Sequence, residues 1–174
     1  FRTATIRPVD TGVVQCGGHH RHFINIASFG STGLVIDRVN KASKTILRGK
    51  ASYFFETIVG LSQYKNQKVR LRVDDHFDEV MSVNCVAVAS GRYFGGSMKV
   101  APKAVLDDGL FDGVMIADMS ALEFVRHNKR IYSGTHLELD QISLVRGSRV
   151  VAEPVGDGAV CIECDGERPG DLPA

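Results

Sequence analysis

The sequence predicts a mainly β fold, an antiparallel β-sandwich decorated with two or three short helices. Two observations predict it. Many short apolar runs are separated by glycine-rich turns. Where periodicity is clear it is mostly two, with helical spacing confined to a few stretches.

Taken in order, residues 10–16 and 21–27 read as two strands around Gly17-Gly18-His19-His20, a hairpin. After Gly30-Ser31-Thr32-Gly33, the apolar residues Leu34, Val35, Val39 and Ala42 recur at helical spacing, with Ser31 or Thr32 available as N-cap. Tyr53, Phe54, Ile58 and Leu61 form the apolar face of a second helix over residues 51–64. The period then falls to two, and residues 68–74 alternate as a strand with one wet face. Residues 79–89 make one longer, more apolar strand, as expected near the centre of a sheet. Residues 109–117 form another strand, and 121–132 a helix behind a Ser120 cap. Residues 142–145 and 149–152 suit a hairpin turning at Arg146-Gly147-Ser148. The last strand, 159–164, runs into Asp165-Gly166-Glu167.

The bulk numbers narrow the function. A chain of 174 residues suits one domain with a real core. A net charge of +1 provides no field for holding nucleic acid, so that partner class loses weight and no nucleic-acid partner is expected. No apolar run is long enough for a membrane helix, and no signal peptide is visible. The start on Phe1 rather than Met, and the stop at Ala174, are expected of one domain cut from a longer protein. Cys16, Cys85, Cys161 and Cys164 read as reduced and partly buried, in keeping with the cytoplasm. Cys161 and Cys164 spell CxxC, but on a strand their side chains diverge, so packing is preferred over zinc or redox chemistry. His19, His20 and His22 read as an exposed hairpin tip, with metal binding as the lesser alternative.

Three polar turns could carry chemistry, since sites are commonly built on loops over a rigid scaffold. Residues 91–98 contain Gly91, Gly95 and Gly96, which let backbone approach a ligand or another segment; a plain wide turn is the other reading. Leu106-Asp107-Asp108-Gly109-Leu110-Phe111-Asp112 holds three carboxylates, suiting either an ordinary turn or a hard cation such as Mg²⁺. In Asp165-Gly166-Glu167, two carboxylates flank a glycine at a strand end. One could deprotonate a hydroxyl while the other orients it, although Asp-Gly is also a common hairpin turn.

The order of these motifs is more specific than any one of them. Residues 23–30, then Gly95-Gly96-Ser97-Met98 with Pro102, then the Asp107–Asp112 stretch, then Asp165-Gly166-Glu167, resemble the C-terminal domain of the diacylglycerol and sphingoid-base kinases of bacterial type. The resemblance implies a lipid kinase whose ATP sits in a separate N-terminal α/β domain absent from this chain. It implies that Glu167 is the general base for the lipid hydroxyl, with Asp165 the runner-up. It also implies a structural Mg²⁺ held by the carboxylate of Asp108 and the carbonyls of Val105 and Leu110, besides the Mg²⁺ that accompanies ATP.

The implied partners are a lipid at the membrane surface, ATP and the chain's own N-terminal domain, and a homodimer is a possible assembly. The isolated chain is expected to be inactive, and the whole protein to be cytoplasmic with peripheral membrane contact. A phosphotransferase resembling NAD kinase and a non-catalytic lipid-binding module are the alternatives. Two departures from the family pattern bear on substrate preference: Ser90 stands where asparagine is usual, and Ser97 where a glycine is.

Overall fold

The computed structural model describes residues 6–42 and 50–174; Phe1-Arg2-Thr3 lies outside them. Among the described residues, three antiparallel sheets form. β1 (Gly12–Cys16) and β2 (His19–Phe23) make a two-stranded ribbon. A six-stranded sheet runs in the order β11 (Glu167–Asp171), β10 (Cys161–Cys164), β3 (Ile26–Gly30), β6 (Cys85–Ala89), β7 (Phe111–Ile116), β8 (Ile142–Gly147). A three-stranded sheet has β4 (Gln67–Val73) between β5 (Phe77–Val83) and β9 (Val150–Pro154). The helices are α1 (Ser31–Ala42), α2 (Lys50–Gln63) and α3 (Ala121–Ser133), followed by a short 3₁₀ turn at His136–Glu138.

The side-chain period builds the layers. On β6 every residue is buried, so both faces are covered. Val86 and Val88 meet Val69, Leu71, Val73 and Ile162 in the core between the two larger sheets. Ala87 and Ala89 meet Ile26, Val114 and Phe124 under the helices. The architecture is thus a sandwich with helices closing the outer face of the six-stranded sheet, the mainly β fold expected.

The strands at 68–74 and 109–117, the strand leading into Asp165, and the helices over 51–64 and 121–132 appear close to where the period places them. α3 carries the expected Ser120 cap within a full capping box with Glu123, and ends on Gly134. α1 starts at Ser31 itself, whose hydroxyl donates to Asn84 Oδ1 at 2.8 Å.

Four expectations are corrected. The strand over 79–89 is two strands in two sheets, parted at buried Asn84. Its N–H donates to Ile116, its carbonyl accepts from the Ser31 N–H, and its side chain bonds Ser31 and Asn66, so the bend strands no polar group. The strand over 21–27 is likewise cut at Ile24-Asn25, because the peptide N–H groups there serve Asp165 instead of a ladder. Residues 142–147 and 150–154 form no hairpin: β8 pairs β7, whereas β9 pairs β4. The chain changes sheets there, with the Asp74 carboxylate gripping the N–H groups of Ser148 and Arg149 at 3.0 and 2.8 Å. Finally, the hairpin of β1 and β2 turns at Gly17-Gly18, leaving His19, His20 and His22 exposed along the strand and not at its tip.

Candidate functional site

β10 and β3 lie side by side with Glu163 opposite Ser28 and Cys164 opposite Ala27. Alternation sends Ile162 into the sandwich core and Cys164 against Phe23 and Ala27. It sends Cys161 and Glu163 to the opposite face, with Cys161 against Gly33 of α1. The two cysteines therefore point to opposite faces of the sheet.

After Cys164 the backbone turns sharply. Asp165 and Gly166 have φ of 46° and 90°, and Cys164 pairs with Glu167 across the turn. A two-residue turn with both central φ positive suits the right-handed twist of antiparallel strands. Beyond it, Glu167–Asp171 forms the edge strand β11. Periodicity alone missed this strand, since Arg168-Pro169-Gly170 has no apolar alternation.

The two expected carboxylates do different things. Asp165 accepts the backbone N–H groups of Ile24 at 2.7 Å, Asn25 at 3.2 Å and Ile26 at 2.9 Å. It is an anchor, tying the turn to the connection between β2 and β3. Glu167 is exposed and pairs with Arg21 of β2. Asp165 and Glu167 are thus neighbours with distinct partners: one carboxylate is consumed by backbone, and the other is presented outward.

Beside this turn lies a pocket of about 400 Å³, lined among others by Asn25, Thr32, Tyr53, Phe94, Glu163 and Asp165. Glu163 is 3% exposed. Its Oε2 accepts from Ser28 Oγ at 2.6 Å, and its Oε1 accepts the Gly166 N–H at 2.5 Å. Burial pushes its carboxyl above the usual glutamate range against the pull of those two donors, and Asp165 adds to the rise. The Tyr53 hydroxyl is also pushed up, first by burial and then by Glu163. Sequence reading missed Glu163. The available signal was a charged residue in an otherwise apolar strand, two residues before the Asp-Gly.

The glycine-rich loop forms the pocket's other wall. Phe94 and Met98 exchange N–H···O bonds at 3.1 and 3.0 Å, closing a loop of Gly95, Gly96 and Ser97 with φ of 50°, 71° and 75°. A Cβ on Gly95 would lie 2.6 Å from the Tyr53 hydroxyl, so close approach to α2 requires glycine there. Upstream, the N–H groups of Ser90 and Gly91 both donate to the Asn25 carbonyl, tying this segment to the residue that Asp165 holds.

These features coincide with a known domain. Residues 25–174 match the model of the YegS C-terminal NAD kinase beta sandwich-like domain. The chain belongs to this family. The YegS-type domain described here is 30% identical over 172 residues to a diacylglycerol kinase of Bacillus subtilis (strain 168), covering 96% of this chain and 52% of that protein. It is 29% identical over 167 residues to a diacylglycerol kinase of Mycobacterium tuberculosis (strain ATCC 25618 / H37Rv), covering 95% and 52%. The chain therefore spans about half the length of these curated relatives. Among solved structures, one from Bacillus anthracis str. Sterne aligns with a TM-score of 0.62 at 21% identity, over 96% of this chain and 51% of the other. A diacylglycerol kinase structure from the same source aligns at 0.56 and 17%, over 96% and 48%. At such identities these two speak for the fold.

The Asp107-Asp108-Gly109 turn of the YegS-type domain lies elsewhere, at the entrance to β7. Asp108 Oδ2 is 2.5 Å from Arg146 Nη2, and its Oδ1 accepts the Leu110 N–H at 3.1 Å. Arg146 also donates through Nε to Asp112 Oδ1 at 2.6 Å. Asp112 is 1% exposed, and its Oδ2 has no partner among the described residues. Asp10 accepts the Gly109 N–H at 2.7 Å. Asp108, Val105 and Leu110 form one segment with hard oxygen donors, but Arg146 already neutralises part of its charge. No three histidine, cysteine or acidic side chains gather to hold a metal among the described residues. No described helix is long and apolar enough to cross a membrane.

Proposed function

We propose that this domain is the acceptor half of an ATP-dependent lipid kinase that phosphorylates the hydroxyl of diacylglycerol or a related lipid. The observation that carries the reading is the Asp165-Gly166-Glu167 turn. It is pinned by three backbone N–H groups beside a pocket and presents one carboxylate outward, in a domain whose relatives are named diacylglycerol kinases. Glu167 is the general base, taking the hydroxyl proton as the oxygen attacks the γ-phosphate. Asp165 holds the turn that aims it. Phosphoryl transfer asks mainly for positioning and charge stabilisation, so a carboxylate on a rigid turn suffices on this side of the cleft. ATP and its Mg²⁺ belong to the other half of the protein, without which this domain is inactive.

A second cavity of about 370 Å³ between the sheets, lined by Val14, Phe23, Val88 and Phe111 but also by Gln15 and Arg149, offers room for acyl chain. At the other turn, Asp108 with the carbonyls of Val105 and Leu110 would hold a structural Mg²⁺. The buried Asp112 Oδ2 nearby, without a partner among the described residues, favours a cation in this region. The whole protein works in the cytoplasm and meets its lipid at the membrane surface.

The test uses the full-length protein with ATP and, in parallel, diacylglycerol vesicles, a long-chain base and NAD as acceptors. Transfer to a lipid that is lost in Glu167→Gln is expected. Transfer to NAD alone, or a fully active Glu167→Gln, overturns the assignment. Magnesium should raise the melting temperature of the parent and not of Asp108→Ala; equal responses remove the structural metal.

A further inference from the structure

We propose that Glu163 is a positioning residue for the Asp-Gly-Glu turn, acting through its hydrogen bond to the Gly166 N–H to set the direction in which Glu167 projects. The inference rests on the reading of Glu167 as the base.

Glu163 is an anomaly by the ordinary rules of burial. It is 3% exposed in a strand whose neighbours Ile162 and Cys164 are core residues. No lysine or arginine bonds it among the described residues, where its partners are the Ser28 hydroxyl and the Gly166 N–H. An unpaired buried carboxylate costs stability that an apolar residue of similar volume would not. Such local violations gather at functional sites.

The geometry indicates what the carboxylate does. In a two-residue turn the outer residues close the ladder, and the central peptide plane is held only by what lies around it. Here that plane is the one between Asp165 and Gly166. Asp165 secures it from the side through the N–H groups of residues 24–26. Glu163 secures it from beneath, with Oε1 on the Gly166 N–H at 2.5 Å. Glu163 is itself fixed by Ser28 Oγ at 2.6 Å, which lies 2.9 Å from Thr32 Oγ1 at the start of α1. The chain of contacts thus runs from helix α1 through a strand to the residue before Glu167. A reacting group held by such a second layer keeps its aim.

The test compares Glu163→Gln, Glu163→Met and Glu163→Ala with the parent, all in the full-length protein. Glutamine keeps an oxygen acceptor, methionine fills the volume without one, and alanine removes both. Kinetics with ATP and diacylglycerol vesicles are read beside amide hydrogen exchange at Gly166 and melting temperature. Glu163→Gln is expected to keep kcat within about two-fold. Glu163→Met and Glu163→Ala should lower it by about ten-fold or more, with KM little changed, as for a group that acts on the aim of another. Gly166 should exchange faster in the Met and Ala variants only.

The melting temperatures guard against a merely structural effect. The folded carboxyl is raised above its ordinary 4.5, so its favourable contribution is full below 4.5 and lost as pH rises through the folded value. At neutral pH, Glu163→Gln should therefore melt no lower than the parent. Parent-like kcat and parent-like Gly166 exchange in both Met and Ala overturn the proposal, as does a Gln variant as impaired as they are. If one of the two fails to fold, the other decides. If the parent transfers no phosphoryl group to lipid, the functional reading fails, and Gly166 exchange alone decides whether Glu163 holds the turn.

Discussion

Ser97 occupies the third position of a loop in which three successive residues have positive φ. Glycine takes that conformation freely, whereas an exposed serine at φ 75° is strained by about 1 kcal/mol. Ser97→Gly relieves the strain and also loosens the unfolded chain, so a net gain of about 0.5 kcal/mol is expected. The urea midpoint should rise with an unchanged slope; a lower midpoint would mean that the serine hydroxyl compensates for its backbone. Resemblance to the family was enough to single out Ser97 as standing where glycine is usual. Glu167 and Asp165 were also legible as a pair, but their division of labour was not. That depended on which backbone N–H groups happen to face Asp165 from a segment 140 positions away in the chain.

At the scale of elements, periodicity located the strands more reliably than it joined them. An apolar run such as 79–89 looks continuous whether it lies in one sheet or bends through two, because burial on both sides gives the same composition. Only the pairing of Asn84 with Ser31 and Asn66 reveals the bend. The passage from β8 to β9 is similar, and Asp74 is its clamp. Backbone N–H donors from Ser148 and Arg149 hold the Asp74 carboxyl below its ordinary 3.8. The contribution of the clamp to stability is therefore full above 3.8 and lost as pH falls through the lower folded value. Asp74→Ala should unfold at lower urea than the parent at neutral pH, and the gap should close as pH falls below 3.8. A gap independent of pH would assign the loss to something other than the ionised carboxylate.

At the scale of the molecule, packing of the described residues creates concavities that no single element contains, two of them of about 400 and 370 Å³. One is the pocket walled by Glu163 and the glycine-rich loop; the other is the cavity between the sheets. If the second receives acyl chain, Val14→Trp, at its partly exposed edge, should raise KM for long-chain diacylglycerol. It should leave KM for ATP and the turnover of a short-chain acceptor unchanged; equal effects on both lipids would separate the cavity from substrate binding. The sequence by itself determined the class of fold, most of the strands and helices, and the motif succession that names the family. Those follow from side-chain period, turn chemistry and residue order, which are local properties of a chain. Only the tertiary structure decided which carboxylate anchors and which projects, that Glu163 lies buried beneath the turn, and where strands change sheets. Each of these depends on contacts between segments far apart in the chain, and local pattern carries no record of which backbone groups will meet.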